Sequence, residues 1–291
     1  MIKKSFDISG KIDKYRLEII ALIKEAADSL DIPFFIVGAT ARDIILEYIY
    51  NKKIFRATND IDFGIQINNW KILESFSSLL LNNKKFSPDE KVEHRFLYEK
   101  AYPVDIVPFG KIASENGIFK WPKDKKEFTV LGFEEAYENS DLVKVKSNPD
   151  LIINFAIPQS LALLKIVVWN ERYPERSKDA LDLVLLIESY LEAGNIERLY
   201  EEEADLVDEN FDFNLTGARL LGRDIATVFK KNTLSYVIKI LDIETGKRKR
   251  YRMIEDMMRK HNMKEDIHFE YYLNILEELK AGIQERLINI K

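Results

Sequence analysis

The chain has 291 residues, 46% of them hydrophobic and including 17 Phe and 13 Tyr, which is ample for packed cores and excludes global disorder. It contains no cysteine, which excludes disulfides, thiolate metal sites and a cysteine nucleophile, and its three histidines, His94, His261 and His268, are too scattered for a zinc motif. A net charge of −5 excludes a uniformly basic coat for nucleic acid and leaves room for a local patch.

The first helical pattern covers about Lys11 to Leu30. Phe34 to Val37 is a short, wholly apolar run with the character of a buried strand, and Gly38 stops it where a strand can hand over to a helix that ends near Tyr50. A helix start at Gly38 points unpaired N–H groups and a positive dipole end toward an anion. In Thr58-Asn59-Asp60-Ile61-Asp62-Phe63-Gly64, a strand of period two sends the Asp60 and Asp62 carboxylates to one face and Ile61 into a core. Two like charges so placed repel unless a cation lies between them, and hard carboxylate oxygens suit Mg²⁺. Trp70 to Leu81 reads as an amphipathic helix, and Arg95–Tyr98, Val104–Val107, Phe128–Leu131 and Leu142–Val145 read as strands of a mixed sheet. His94, in Lys91-Val92-Glu93-His94-Arg95, reads as a polar strand or loop residue, with catalysis as the lesser alternative. Asp105 is a lone charge in the apolar run Tyr102–Phe109 and so needs a partner, either a metal shared with Asp60 and Asp62 or a nearby Arg or Lys.

From Pro158 onward the periodicity is helical. Lys165, Trp169 and Arg172 fall at i, i+4 and i+7, and Lys178 and Asp182 are one turn apart, in helices apolar enough that some charges are expected to face a cleft. Taken singly, each is an ordinary salt-bridged helix residue. The expected organisation is an α/β (α+β) head over residues 1–157, with a mixed sheet and flanking helices, then a mainly helical domain over 158–291, with the active cleft between them. Glu201 to Glu209 is acidic, whereas Lys247-Arg248-Lys249-Arg250-Tyr251-Arg252, followed by Arg259 and Lys260, is basic: a solvated face or an RNA contact. No apolar leader and no run long enough to span a bilayer is present, so the expectation is a soluble, cytoplasmic protein without a membrane partner.

Gly38-Ala39-Thr40-Ala41-Arg42 with Asp60-Ile61-Asp62 and Asp105 resembles the nucleotidyltransferase superfamily of DNA polymerase beta, and within it the AbiEii-type enzymes, many of them toxins of toxin and antitoxin pairs. A second block, Pro158 to Lys165, Trp169-Asn170-Glu171-Arg172 and Ser177-Lys178-Asp179-Ala180-Leu181-Asp182-Leu183, is similar to that group's Lys, Arg and Lys-Asp-x-x-Asp pattern. The resemblance spans Phe34 to Leu183, with one departure: Ala39 stands where the group has a second Gly or a Ser, which moves the hydroxyl role to Thr40. It implies a nucleoside triphosphate as substrate, two Mg²⁺ ions on Asp60, Asp62 and Asp105, and Asp105 as general base. Gly38, Ala39, Thr40 and Arg42 would meet the phosphates, Lys165 or Lys178 would offset charge in transfer, and Asp179 and Asp182 would orient those lysines or the nucleoside. The implied partners are tRNA or another RNA as acceptor and a cognate antitoxin. The Gly38 to Asp43 turn also looks like the head of tRNA CCA-adding enzymes. Antibiotic-modifying nucleotidyltransferases and a non-catalytic nucleotide- or RNA-binding module complete the alternatives.

Overall fold

The structure is a computed structural model that describes residues 3–53, 58, 60–209, 211–246, 250–259 and 265–287. The chain divides into two compact units, residues 2–157 and 158–291.

In chain order the first unit contains β1 (Ser5–Asp7), α1 (Lys14–Asp28), β2 (Phe34–Val37), α2 (Gly38–Ile44), β3 (Ile61–Gln66), α3 (Trp70–Asn82), β4 (Phe86–Pro88), β5 (Arg95–Tyr98), β6 (Tyr102–Phe109), β7 (Ile118–Lys120), β8 (Glu127–Thr129), α4 (Phe133–Glu138), β9 (Asp141–Lys146) and β10 (Leu151–Phe155). Asp13 caps α1 by accepting from Arg16 N, and Asn69 caps α3 by accepting from Ile72 N. α2 runs on into a π-helical segment, Ile45–Ile49, which closes at Tyr50.

Among the described residues, eight strands form one mixed sheet in the order β1-β9-β10-β2-β3-β6-β5-β4. β2 runs antiparallel to β3, β3 parallel to β6, and β6 antiparallel to β5. The centre of the sheet is apolar on both faces: Phe35, Ile36, Ile61, Phe63, Ile65, Val104 and Ile106 are all buried. Gly64 is needed there, since a Cβ would lie 2.2 Å from the Phe35 ring that packs across it. The expected strand at Phe128–Leu131 is corrected. Glu127–Thr129 pairs only with β7, as a separate two-stranded ribbon outside the main sheet.

The second unit contains α5 (Pro158–Glu171), α6 (Lys178–Ser189), α7 (Phe213–Val228), α8 (Lys231–Thr245), α9 (Arg252–Met258) and α10 (Glu265–Leu287). α5 is apolar around most of its circumference and is buried accordingly, with Leu161, Leu163, Leu164, Ile166 and Trp169 all in the core. α7 and α10 approach backbone to backbone. A Cβ on Gly222 would lie 2.1 Å from Leu279 O, and one on Gly282 would lie 2.1 Å from Arg219 O. Among the described residues no helix is long and apolar enough to cross a membrane.

Candidate active site

Strand register builds the site. Val37 pairs with Asp62, Asp62 with Asp105, and Asp105 with Arg95, so one row crosses β2, β3, β6 and β5. Register partners project to the same face, which puts Asp62, Asp105 and Arg95 side by side. Asp60 precedes β3 by one residue, and the ion contact it makes with Arg95 places it beside the row. Ile61 is fully buried, as the period-two reading requires.

Gly38 closes one end of this row. Its φ of +75° lies in the left-handed region, and an added Cβ would fall 2.0 Å from Asp62 Oδ2. The turn from β2 into α2 therefore needs glycine twice, for its backbone conformation and for the carboxylate pressed against it.

The segment leading into Asp60 is tied down from three positions. Thr40 Oγ1 donates a short hydrogen bond to Asp60 O, Arg16 Nη2 donates to Thr58 O at 2.6 Å, and Thr58 N donates to Asp43 Oδ2 at 3.3 Å. Thr40, expected at the phosphates, thus spends its hydroxyl proton on the main chain of the aspartate segment. Arg42, expected there as well, is 3% exposed and donates from Nε to Asp43 Oδ1 at 2.8 Å. Ala39 is half-buried beside Gly38.

Arg95 is the residue that sequence reasoning missed. Its Nε and Nη2 donate to Asp105 Oδ1 and Oδ2 at 2.7 and 2.8 Å, and Nη2 lies 3.5 Å from Asp60 Oδ2. The bonds to Asp105 hold the guanidinium pKa above its ordinary value, with Asp60 and Asp62 adding to the effect. Asp105 thus has the nearby arginine foreseen as one of its two partners. His94 approaches the same carboxylate, Nε2 standing 3.9 Å from Asp105 Oδ2, and its ring stacks on Trp121 at 5.5 Å between centroids. Among the described residues, no three acidic or imidazole side chains stand close enough together to hold a metal ion.

The second block sits in the helical unit, where it forms a buried ion cluster. Lys165 Nζ donates to Asp179 Oδ1 at 2.7 Å and to Asp182 Oδ2 at 2.6 Å, and Arg176 Nε donates to Asp179 Oδ2 at 2.8 Å. Burial pushes the Lys165 pKa down, and the two carboxylates more than offset it, so the net shift is upward. Asp179 and Asp182 both accept from Lys165, whereas Lys178 is exposed. The charged face expected of α5 is corrected at Trp169, which is fully buried and donates from Nε1 to Asp256 Oδ2 at 2.9 Å. Arg172 is exposed near Glu175.

Of the basic run, Lys247, Arg248 and Lys249 lie outside the described residues, as do Lys260 and His261. Arg252 is committed within the fold, bonded to Glu244 and lying over the rings of Trp169 and Tyr173 at 5.4 and 4.7 Å.

No family model matches the chain, and no curated protein does. Among solved structures it is similar to the antibiotic-resistance factor ANT(2'')-Ia, at 15% identity and a TM-score of 0.37 over 67% of this chain and 95% of that one. It is similar to the Thermotoga maritima CCA-adding enzyme complexed with tRNA, at 12% identity and a TM-score of 0.26 over 96% and 83%. It is also similar to JHP933 from Helicobacter pylori, at 12% identity and a TM-score of 0.32 over 94% of each chain. Likenesses this remote carry nothing over to the residues or chemistry of this chain.

Proposed function

We propose that residues 2–157 carry the site of a divalent-metal-dependent nucleotidyltransferase, which moves a nucleoside monophosphate from a nucleoside triphosphate to a hydroxyl acceptor. One observation carries the reading: the Gly38 backbone is closed onto the Asp62 carboxylate, in a row that continues through Asp105 with Asp60 beside it. Acids lined up on neighbouring strands repel one another, a cost that Arg95 offsets at Asp105 and Asp60.

Carboxylate oxygens are the donors that a hard divalent cation takes, and such an ion would neutralise a triphosphate and lower the pKa of an acceptor hydroxyl. As they stand, with Arg95 bonded across Asp105 and near Asp60, the three acids do not form a group that would hold one, so the metal requirement rests on the resemblance. The chain's own residues supply the positioning. Thr40 fixes Asp60 through its carbonyl, and Gly38, having no side chain, lets the β2–α2 turn press against the Asp62 carboxylate. Asp105 marks the acceptor end, where it would take the hydroxyl proton as the new oxygen–phosphorus bond forms and the bond to pyrophosphate breaks.

The AbiEii-type resemblance extends the reading to Mg²⁺ as the ion, ATP among the donors, RNA such as a tRNA end as the acceptor, and a toxin with its own antitoxin. The cluster of Lys165, Arg176, Asp179 and Asp182 holds two charges of each sign, so it adds no net positive charge to that reading. Incubation of the protein with each α-labelled nucleoside triphosphate, Mg²⁺, and either total RNA or hydroxylated small molecules tests both levels. Label in RNA supports the full reading. Label only in a small alcohol replaces the acceptor, and no transfer to any acceptor, with or without metal, rejects the enzyme.

A further inference from the structure

Between β6 and α4 the chain leaves the main sheet and folds β7 and β8 into a ribbon of their own. From Ile118 to Trp121 burial alternates strictly: Phe119 and Trp121 point inward, Ile118 and Lys120 outward. The inward pair packs on Trp70 of α3, at 5.4 and 5.8 Å between ring centroids, so an aromatic core fastens the ribbon to the head. Main-chain bonds close its tip, Lys125 N donating to Trp121 O at 3.1 Å and Trp121 N to Lys126 O at 3.0 Å. What this tip displays is charge. Lys120-Trp121-Pro122-Lys123-Asp124-Lys125-Lys126 holds four lysines against one aspartate, in a chain whose net charge is −5. All four lysines are exposed. Lys120 pairs with Glu127 and Lys126 with Asp124, whereas Lys123 and Lys125 make no ion pair among the described residues. Lys125 also stands at φ +59°, a backbone conformation that glycine adopts freely and a lysine does not. The tip is rooted at one end of the carboxylate row, since a single imidazole separates it from Asp105: His94 stacks on Trp121 and its Nε2 stands 3.9 Å from Asp105 Oδ2.

We propose that this ribbon is the landing surface for a single-stranded RNA acceptor, with Lys123 and Lys125 on its phosphates and Lys120 and Lys126 beside them. The proposal rests on the transferase reading above and gives its acceptor a place to bind. Ammonium groups on a closed loop meet phosphates as point charges and read no sequence. An RNA end joins the two chemistries this corner of the head calls for, a terminal hydroxyl for the Asp105 end and a phosphate behind each following nucleotide for the lysines. The ribbon therefore supplies affinity without base contacts, and that affinity falls as salt rises.

Fluorescence anisotropy of a labelled oligouridylate of about 20 nucleotides, titrated with the full chain in EDTA, reads this without metal and without turnover. Removing two phosphate contacts from a single strand lowers the slope of log affinity against log salt by ~1.4, which from about 1 M down to about 0.1 M salt amounts to ~25-fold in affinity. Lys123→Gln with Lys125→Gln should show both changes. Lys230→Gln with Lys231→Gln removes the same charge from exposed positions of the helical unit and should bind RNA like the wild type. Wild-type affinity in the ribbon variant overturns the proposal, and so does an equal loss in the helical-unit variant. Displacement of the oligouridylate by polyglutamate as readily as by unlabelled RNA overturns RNA as the partner. A wild-type protein that binds no RNA yet labels a small alcohol sinks the landing surface and leaves the transferase standing; one that binds RNA through the ribbon and transfers to no acceptor does the reverse.

Discussion

Replacing Gly38 with alanine probes the closest contact in the head. The new methyl carbon would sit 2.0 Å from Asp62 Oδ2 and 2.7 Å from its Cγ, on a backbone at φ +75°. The left-handed conformation alone costs a non-glycine residue about 1–2 kcal/mol. The collision adds about 1–3 kcal/mol, typical of a methylene forced into filled space, because Asp62 must rotate out of the row or β2 and β3 must part. Gly10 separates the two terms: its φ is +82°, and an added Cβ there meets nothing within 4 Å. Gly10→Ala should therefore cost only the conformational part and keep full transfer activity. Gly38→Ala should cost about 2–5 kcal/mol and lose transfer by ~10²-fold, the scale of an ångström-sized misplacement at a reacting centre. Combining Gly38→Ala with Asp62→Ala should recover most of the steric excess, since two of the three nearest atoms are gone. Urea unfolding of the three variants and the wild type beside a transfer assay makes the comparison. Equal stability of the two glycine variants, with Gly38→Ala transferring at the wild-type rate, would refute the account of the turn.

Asp62→Asn removes one of two acids paired across β3 and β6, so transfer should vanish while stability holds or rises by ~0.2–1 kcal/mol in urea unfolding; a marked loss of stability would mean that the repulsion is not there. Lys165→Met removes the cation bonded to both Asp179 and Asp182, leaving Arg176 on Asp179, and should cost about 3 kcal/mol by the same measurement. The folded pKa of Lys165 lies above its ordinary value of 10.5. Its stabilisation is thus complete below the unfolded value and is lost as pH rises through the folded one, so urea midpoints should fall on the alkaline side in wild type and more gently in Lys165→Met. Gly222→Ala drives a methyl to 2.1 Å from Leu279 O, a backbone atom that cannot rotate away, and should destabilise the helical unit by about 3 kcal/mol or more, beyond the usual helix gain of alanine over glycine.

Much of the head is legible in the sequence, for identifiable reasons. Period-two alternation made Asp60 and Asp62 neighbours, and the apolar run around Asp105 made its charge conspicuous; both signals are local. Arg95 went unread because its meaning depends on pairing between strands. A clue was nonetheless present: strands at Arg95–Tyr98 and Tyr102–Phe109, joined by the short turn Glu99-Lys100-Ala101, place Arg95 opposite Asp105 once a hairpin is drawn. Short strands such as β1 and β4, of three residues each, are too brief to show a period. In the helical half, spacing along α5 grouped Lys165 with Trp169 and Arg172, whereas packing sent the three to different neighbours. Helical periodicity says which residues share a stripe, and it cannot say which other helix that stripe will meet.

Asp60 is set from outside its own sheet. Arg16 in α1 holds the carbonyl of Thr58, Asp43 in α2 receives that residue's N–H, and Thr40 holds the carbonyl of Asp60 itself. None of these three needs to touch a nucleotide, yet together they decide where one of the proposed ligands stands. The functional fingerprint of this head therefore reaches back to its first helix. A chain with the aspartate pair but no such braces would carry the chemical groups without the scaffold that aims them.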